Sequence, residues 1–181
     1  SEFLAANEVV NYGEQMEIVK RVGAKMAKAT EEFLKKSNAL DRIKGFEWEF
    51  NLVRNDQLNA WCMPGGKICF YTGILNVTQD ETGLAVVMGH EIAHAIARHG
   101  NERMSKGGMV NLGGQVLDVA VSQQSEAARY LLLNAYGVGT TVGYVLPFSR
   151  KHELEADMMG LVFMKLAGYD ATQAVSFWKR M

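Results

Sequence analysis

The sequence predicts an α+β domain, mostly helical, with a small three- to four-stranded sheet beside one central helix. Three observations carry this reading. Apolar residues recur at helical spacing over most of the chain. Two-residue alternation is confined to the stretch between Phe46 and Thr72. The helix that follows this stretch carries His90, Glu91 and His94 in its middle. At 181 residues, 48% hydrophobic and 22% charged, the chain suits a single domain (1–181) with a sizeable core. A net charge of −1 leaves no electrostatic footprint for nucleic acid.

The elements follow in order. A long helix is expected from about Glu8 to Lys36, with Val9, Tyr12, Met16, Val19, Val22, Met26 and Phe33 on its apolar face. Phe46, Trp48, Phe50 and Leu52 alternate with Glu47, Glu49 and Asn51, the pattern of a half-buried strand. Gln57–Met63 and Lys67–Thr72 flank Pro64-Gly65-Gly66 and read as a hairpin. A two-residue turn at Gly65-Gly66 would set Cys62 opposite Cys69 and make a bridge conceivable. Two buried thiols are the favoured state, because free cysteine behaves as a small core residue. Thr78-Gln79-Asp80-Glu81 reads as a capping box, with Thr78 accepting from the Glu81 amide and Glu81 reaching back. It opens a helix that Gly100 ends.

From about Glu102 to Phe148 the chain reads as a lid-like, Gly-rich helical segment, broken near Gly107-Gly108 and Gly113-Gly114. Leu131–Ser149 carries no charge, which is near the length that spans a bilayer. Its asparagine, threonines and glycines favour a buried or lid helix pair over membrane contact. Helices over Arg150–Ala167 and Ala171–Lys179 complete the chain.

The chemistry starts at Gly89–Gly100, GHEIAHAIARHG. Residues four apart on a helix share a face, so His90 and His94 can chelate one ion through two imidazoles. Glu91 lies about 100° round from His90, which suits contact with a metal-bound water better than ligation. A catalytic metal usually has three protein ligands. His99 lies about 180° round the helix from His90 and does not qualify. A glutamate from a later helix can. In SRKHELEADMMG, Ser149–Gly160, Glu153 and Asp157 lie on one face. Glu153 can bind the metal while Asp157 accepts a hydrogen bond from a ligand histidine. The alternative is a solvated acidic face. His152 is a candidate oxyanion stabiliser, with Arg150, Tyr136 and Tyr144 also considered.

H-E-I-A-H-A-x-A-R-H followed by S-R-x-x-E-x-E-A-D-x-x-G resembles peptidase family M48, the gluzincin metallopeptidases that include the CAAX prenyl proteases and envelope proteases. Asn59–Ile68 and Tyr12-Gly13-Glu14-Gln15 resemble the family's strand-and-turn and first-helix motifs. The resemblance implies a zincin-like fold. It implies one Zn2+ per chain on His90, His94 and Glu153, with Glu91 as general base. It also implies an edge strand over Asn59, Ala60, Trp61, Cys62 and Met63 that pairs with an extended or unfolded polypeptide substrate. Arg150 matches the family's arginine, with a role at Glu153 or at substrate. The expected activity is metalloendopeptidase action on unfolded or damaged proteins; a chaperone-like holding factor of low proteolytic activity is the alternative. The expected place is the cell envelope or periplasm, with membrane association through an N-terminal anchor outside the given chain.

Overall fold

The hairpin forms where alternation and glycine place it, but in a different register. In the computed structural model, which describes residues 2–181, β2 (Ala60–Met63) pairs antiparallel with β3 (Lys67–Tyr71), and Cys62 faces Ile68 while Cys69 faces Trp61. The connection is three residues, Pro64–Gly66, with φ of 93° at Gly65 and 81° at Gly66, a left-handed pair that glycine adopts without strain. The extra residue slips the strands by one relative to a two-residue turn, and a one-residue slip sends side chains to opposite faces. Cys62 and Cys69 are therefore free thiols. Burial pushes the Cys69 thiol up to about 11.

β1 (Glu49–Val53) pairs parallel with β3, giving a mixed sheet of order β1-β3-β2 with β2 at an edge. Leu52, Ile68 and Phe70 point inward and are fully buried, joined by the partly buried Phe50 and Cys62. The sheet's other face carries Glu49, Asn51, Trp61, Met63 and Lys67, which line a cavity with Phe3 and Leu4 of α1 (Glu2–Ala5).

The first long helix, α2 (Glu14–Lys36), starts six residues later than its periodicity suggested. Val9 instead forms a β-bridge with Val53, and the Val10 amide donates to Leu52 O at 2.8 Å. Two consecutive β-branched residues beside an open strand edge favour pairing over helix. Tyr12, expected on the apolar face, is exposed. Met16, Val19, Val22 and Met26 do face the core at helical spacing.

After α3 (Thr72–Thr78) comes the central helix α4 (Glu81–Ala97). The capping box is not made. The Thr78 hydroxyl donates to Leu75 O at 3.1 Å, closing α3, and Asp80 accepts from the Gly83 amide at 2.8 Å as the cap of α4. Glu81 is occupied elsewhere. It accepts from Arg21 Nε at 2.7 Å and from the Tyr169 hydroxyl at 3.1 Å, with Lys25 Nζ at 3.7 Å. The Arg21 hydrogen bond, more than burial opposes it, holds its carboxyl below the usual carboxylate range.

The chain divides into two compact units, Ser1–Ala97 with Glu155–Met181, and Arg98–Leu154. In the second unit α5 (His99–Ala120) runs unbroken through both glycine pairs, and the chain turns instead at residues 121–125. Helix α6 (Glu126–Thr140) continues through a π-helical turn, Thr141–Val145, into α7 (Leu146–Leu166). Of the expected buried or lid helix pair, the burial fails here. None of α6 is buried, and Tyr130, Leu131, Val138 and Val142 are exposed. The helical run Glu126–Leu166 is long and apolar enough to cross a membrane. A last helix, α8 (Gln173–Arg180), inserts Ala174 and Phe177 into the core of the first unit.

Candidate metal centre

Backbone contact between two glycines positions the site. Gly89, just before the first motif histidine, meets Gly160 on α7. A Cβ built on Gly160 would lie 2.9 Å from the His90 amide nitrogen and 3.0 Å from the Gly89 carbonyl carbon. A Cβ on Gly89 would lie 2.9 Å from Gly160 O. Only residues without side chains let these helices approach so closely. Asp157 stands one turn before Gly160, so this crossing brings its carboxylate to the motif helix.

There Asp157 Oδ1 lies 2.8 Å from His90 Nδ1. A proton on Nδ1, donated to the carboxylate, makes Nε2 the nitrogen that carries the lone pair. That Nε2 lies 2.9 Å from His94 Nε2. Two imidazole nitrogens facing at this distance need a proton or a cation between them. Two nitrogens bound at 2.0–2.1 Å to one tetrahedral zinc would stand about 3.3 Å apart, so a small separation of the rings admits the ion. The donor chemistry fits a borderline divalent metal. Both histidines are half-buried, between the core side of α4 and solvent.

Glu91 is also half-buried. Its neighbourhood is revealed by Cys62, whose thiol is pushed up to about 12 by burial first and by the Glu91 charge second. The edge strand and the motif carboxylate are therefore close. Beyond Cys62, Trp61 and Met63 point to the other face of the sheet, Trp61 stacking edge-on against Phe3 and Tyr71 at 5.2 Å each. Asn59 prolongs the pairing by accepting from the Tyr71 amide at 3.0 Å.

Glu153 occupies α7 one turn before Asp157, on the same side of the helix. Arg103 Nη2 lies 3.5 Å from its Oε1, and Arg150 is exposed. Nothing in the sequence singled out Arg103. His152 is almost fully buried in the second unit. Its ring stacks on His99 at 3.9 Å and packs edge-on against Phe148, and its Nε2 lies 3.3 Å from Glu102 Oε2. Tyr136 donates to Val110 O at 3.0 Å, and Tyr144 lies beside Lys106. Trp178 was also missed. Its ring packs against His90 with centroids 5.4 Å apart.

The model of peptidase family M48 matches residues 18–181, nearly the whole chain. This chain belongs to peptidase family M48. Among curated relatives, the mitochondrial metalloendopeptidase OMA1 of Schizosaccharomyces pombe is 34% identical over 148 residues, covering 82% of this chain and 42% of that protein. Human metalloendopeptidase OMA1 is 29% identical over 141 residues, 77% of this chain and 27% of that one. The beta-barrel assembly-enhancing protease of Escherichia coli is 26% identical over 137 residues, 74% and 28% of the two chains. The M48 chain described here thus spans less than half the length of the relatives it matches.

Proposed function

We propose that this M48 chain is the catalytic part of a zinc metalloendopeptidase. His90, His94 and Glu153 hold one Zn2+, Glu91 is the general base, and Asp157 fixes the His90 tautomer. The observation that carries the reading is the pairing of His90 Nδ1 with Asp157 at 2.8 Å, which leaves Nε2 aimed at its partner nitrogen on His94. When bound, zinc supplies Lewis acidity and lowers the pKa of a bound water. Glu91 takes that proton as the water attacks a peptide carbonyl and delivers it to the departing amine. Arg103 holds the Glu153 carboxylate, an orientation a metal ligand requires.

Substrate is an extended or unfolded polypeptide, laid along β2 over Asn59–Met63 by main-chain hydrogen bonds. The packing of β2 against the motif helix supports this placement. The proposed setting is the cell envelope and quality control of damaged proteins; the likeness to a beta-barrel assembly-enhancing protease supports it, whereas the OMA1 relatives, up to 34% identical, are mitochondrial. Elemental analysis should find one zinc per chain. A chelator should abolish cleavage of unfolded casein and added zinc restore it; cleavage that survives complete metal removal would refute the mechanism.

A second reading is a holding factor of low proteolytic activity. The exposed apolar residues of α6 favour it, since they offer unfolded chains a surface to bind. Suppression of aggregation by protein whose hydrolysis has been disabled would support it.

A further inference from the structure

We infer that Trp178 is a positioning residue for the metal, bracing the His90 imidazole so that its Nε2 stays aimed at His94. The inference rests on the metal site proposed above and adds a residue to it. Asp157 fixes one end of the His90 ring through Nδ1, and ring packing adds to that hold. Two further rings restrict it. His94 meets it edge-on at 4.5 Å, and Trp178 packs at 5.4 Å with the planes 64° apart. Of these, only Trp178 is not itself a ligand, so it can hold His90 in the same place with or without the cation.

Helix α8 gives the indole a fixed base. The adjacent Phe177 is fully buried, Ala174 nearly so, and the Phe177 and Trp178 rings meet edge-on at 5.0 Å. The indole itself remains 38% exposed, so core filling does not account for it. A large, rigid aromatic half in solvent and half on a ligand histidine is placed for orientation, and aromatic pairs favour this edge-to-face geometry. Preorganised ligands lose less freedom on binding, so the contact appears as cation affinity.

Cobalt(II) is the probe, because it suits the same imidazole and carboxylate donors and quenches nearby indole emission. The chain has three tryptophans. In a Trp48→Phe, Trp61→Phe variant only Trp178 emits, and one equivalent of cobalt should quench it. Separately, Trp178→Ala should weaken cobalt binding by roughly two- to tenfold, the worth of one aromatic contact, and Trp178→Phe should restore most of it. A residue that merely supported α8 would lower the melting temperature without changing affinity. Bound cobalt that leaves Trp178 emission unchanged, or a folded Trp178→Ala protein that binds as tightly as wild type, would overturn the inference. If Trp178→Ala does not fold, the emission experiment decides alone. Failure of wild type to bind cobalt at all would instead remove the metal site itself.

Discussion

Replacing Gly160 with alanine tests whether the crossing of α4 and α7 sets the metal centre. The added Cβ would sit 2.9 Å from the His90 nitrogen, about 0.5 Å inside ordinary contact, and the obstacle is backbone on both helices. Neither side can rotate away, so the helices must part by about that amount. Overpacking of this kind costs roughly 1–3 kcal/mol. Alanine recovers about 0.5–1 kcal/mol through its better helix propensity. At the middle of both ranges the steric term wins, leaving a net loss of about 1 kcal/mol. For a chain of this size that is a fall in melting temperature of roughly 2–4 °C. The same displacement would carry Asp157, one turn away, from 2.8 Å to about 3.3 Å from His90. Weakening a carboxylate that supports a ligand histidine costs on the order of tenfold in metal affinity. Thermal unfolding and zinc titration read both effects. Gly108→Ala is the control, because a Cβ there meets nothing within 4 Å and should leave stability unchanged or slightly raised. A Gly160→Ala protein that melts and binds zinc like wild type would refute the reasoning.

Two other substitutions probe separate parts of the account. Asp157→Ala should fold but bind zinc roughly 10- to 100-fold more weakly, measured by competition with a chromogenic chelator; unchanged affinity would remove Asp157 from the site. Glu81→Gln should lower the melting temperature at pH 7, because its carboxylate joins Arg21, Lys25 and Tyr169. The folded carboxyl lies below its ordinary value of 4.5, so its contribution is present above that pH and is lost as pH falls through the folded pKa. The gap between variant and wild type should therefore narrow as pH falls below 4.5 and go on narrowing through the lower folded value; a constant gap would argue against an ionic origin.

The features legible in the sequence are those set by local spacing. His90 and His94 at four residues, Glu153 and Asp157 at four residues, and the glycine turn before Lys67 all follow from the period of one element. The edge hairpin formed where its pattern placed it, but the motif helix ends at Ala97, where Arg98 turns left-handed (φ 61°), and not at Gly100, which lies inside α5. What stayed hidden depends on contacts between elements. Val9 and Tyr12 fit a helical pattern, yet Val9 pairs with Val53, a partner 44 residues away in the chain. Thr78 and Glu81 had the spacing of a capping box, but α3 uses the threonine and Arg21 takes the glutamate. The glycine pairs in α5 read as breaks, although glycine only weakens a helix and neither pair interrupts this one. Gly89 and Gly160 carried no periodic signal, because their role is to have no side chain where two helices meet. Arg103 reaches Glu153, and Trp178 reaches His90, only through the fold, and Trp178 could have been found only as an aromatic on the amphipathic final helix.

Cleavage of an unfolded polypeptide by a Glu91→Gln protein, run beside its zinc content, decides whether Glu91 moves the proton of the attacking water. One bound zinc with hydrolysis reduced at least a hundredfold is expected, the scale of a lost general base. Full zinc with undiminished hydrolysis would show that Glu91 does not carry that proton.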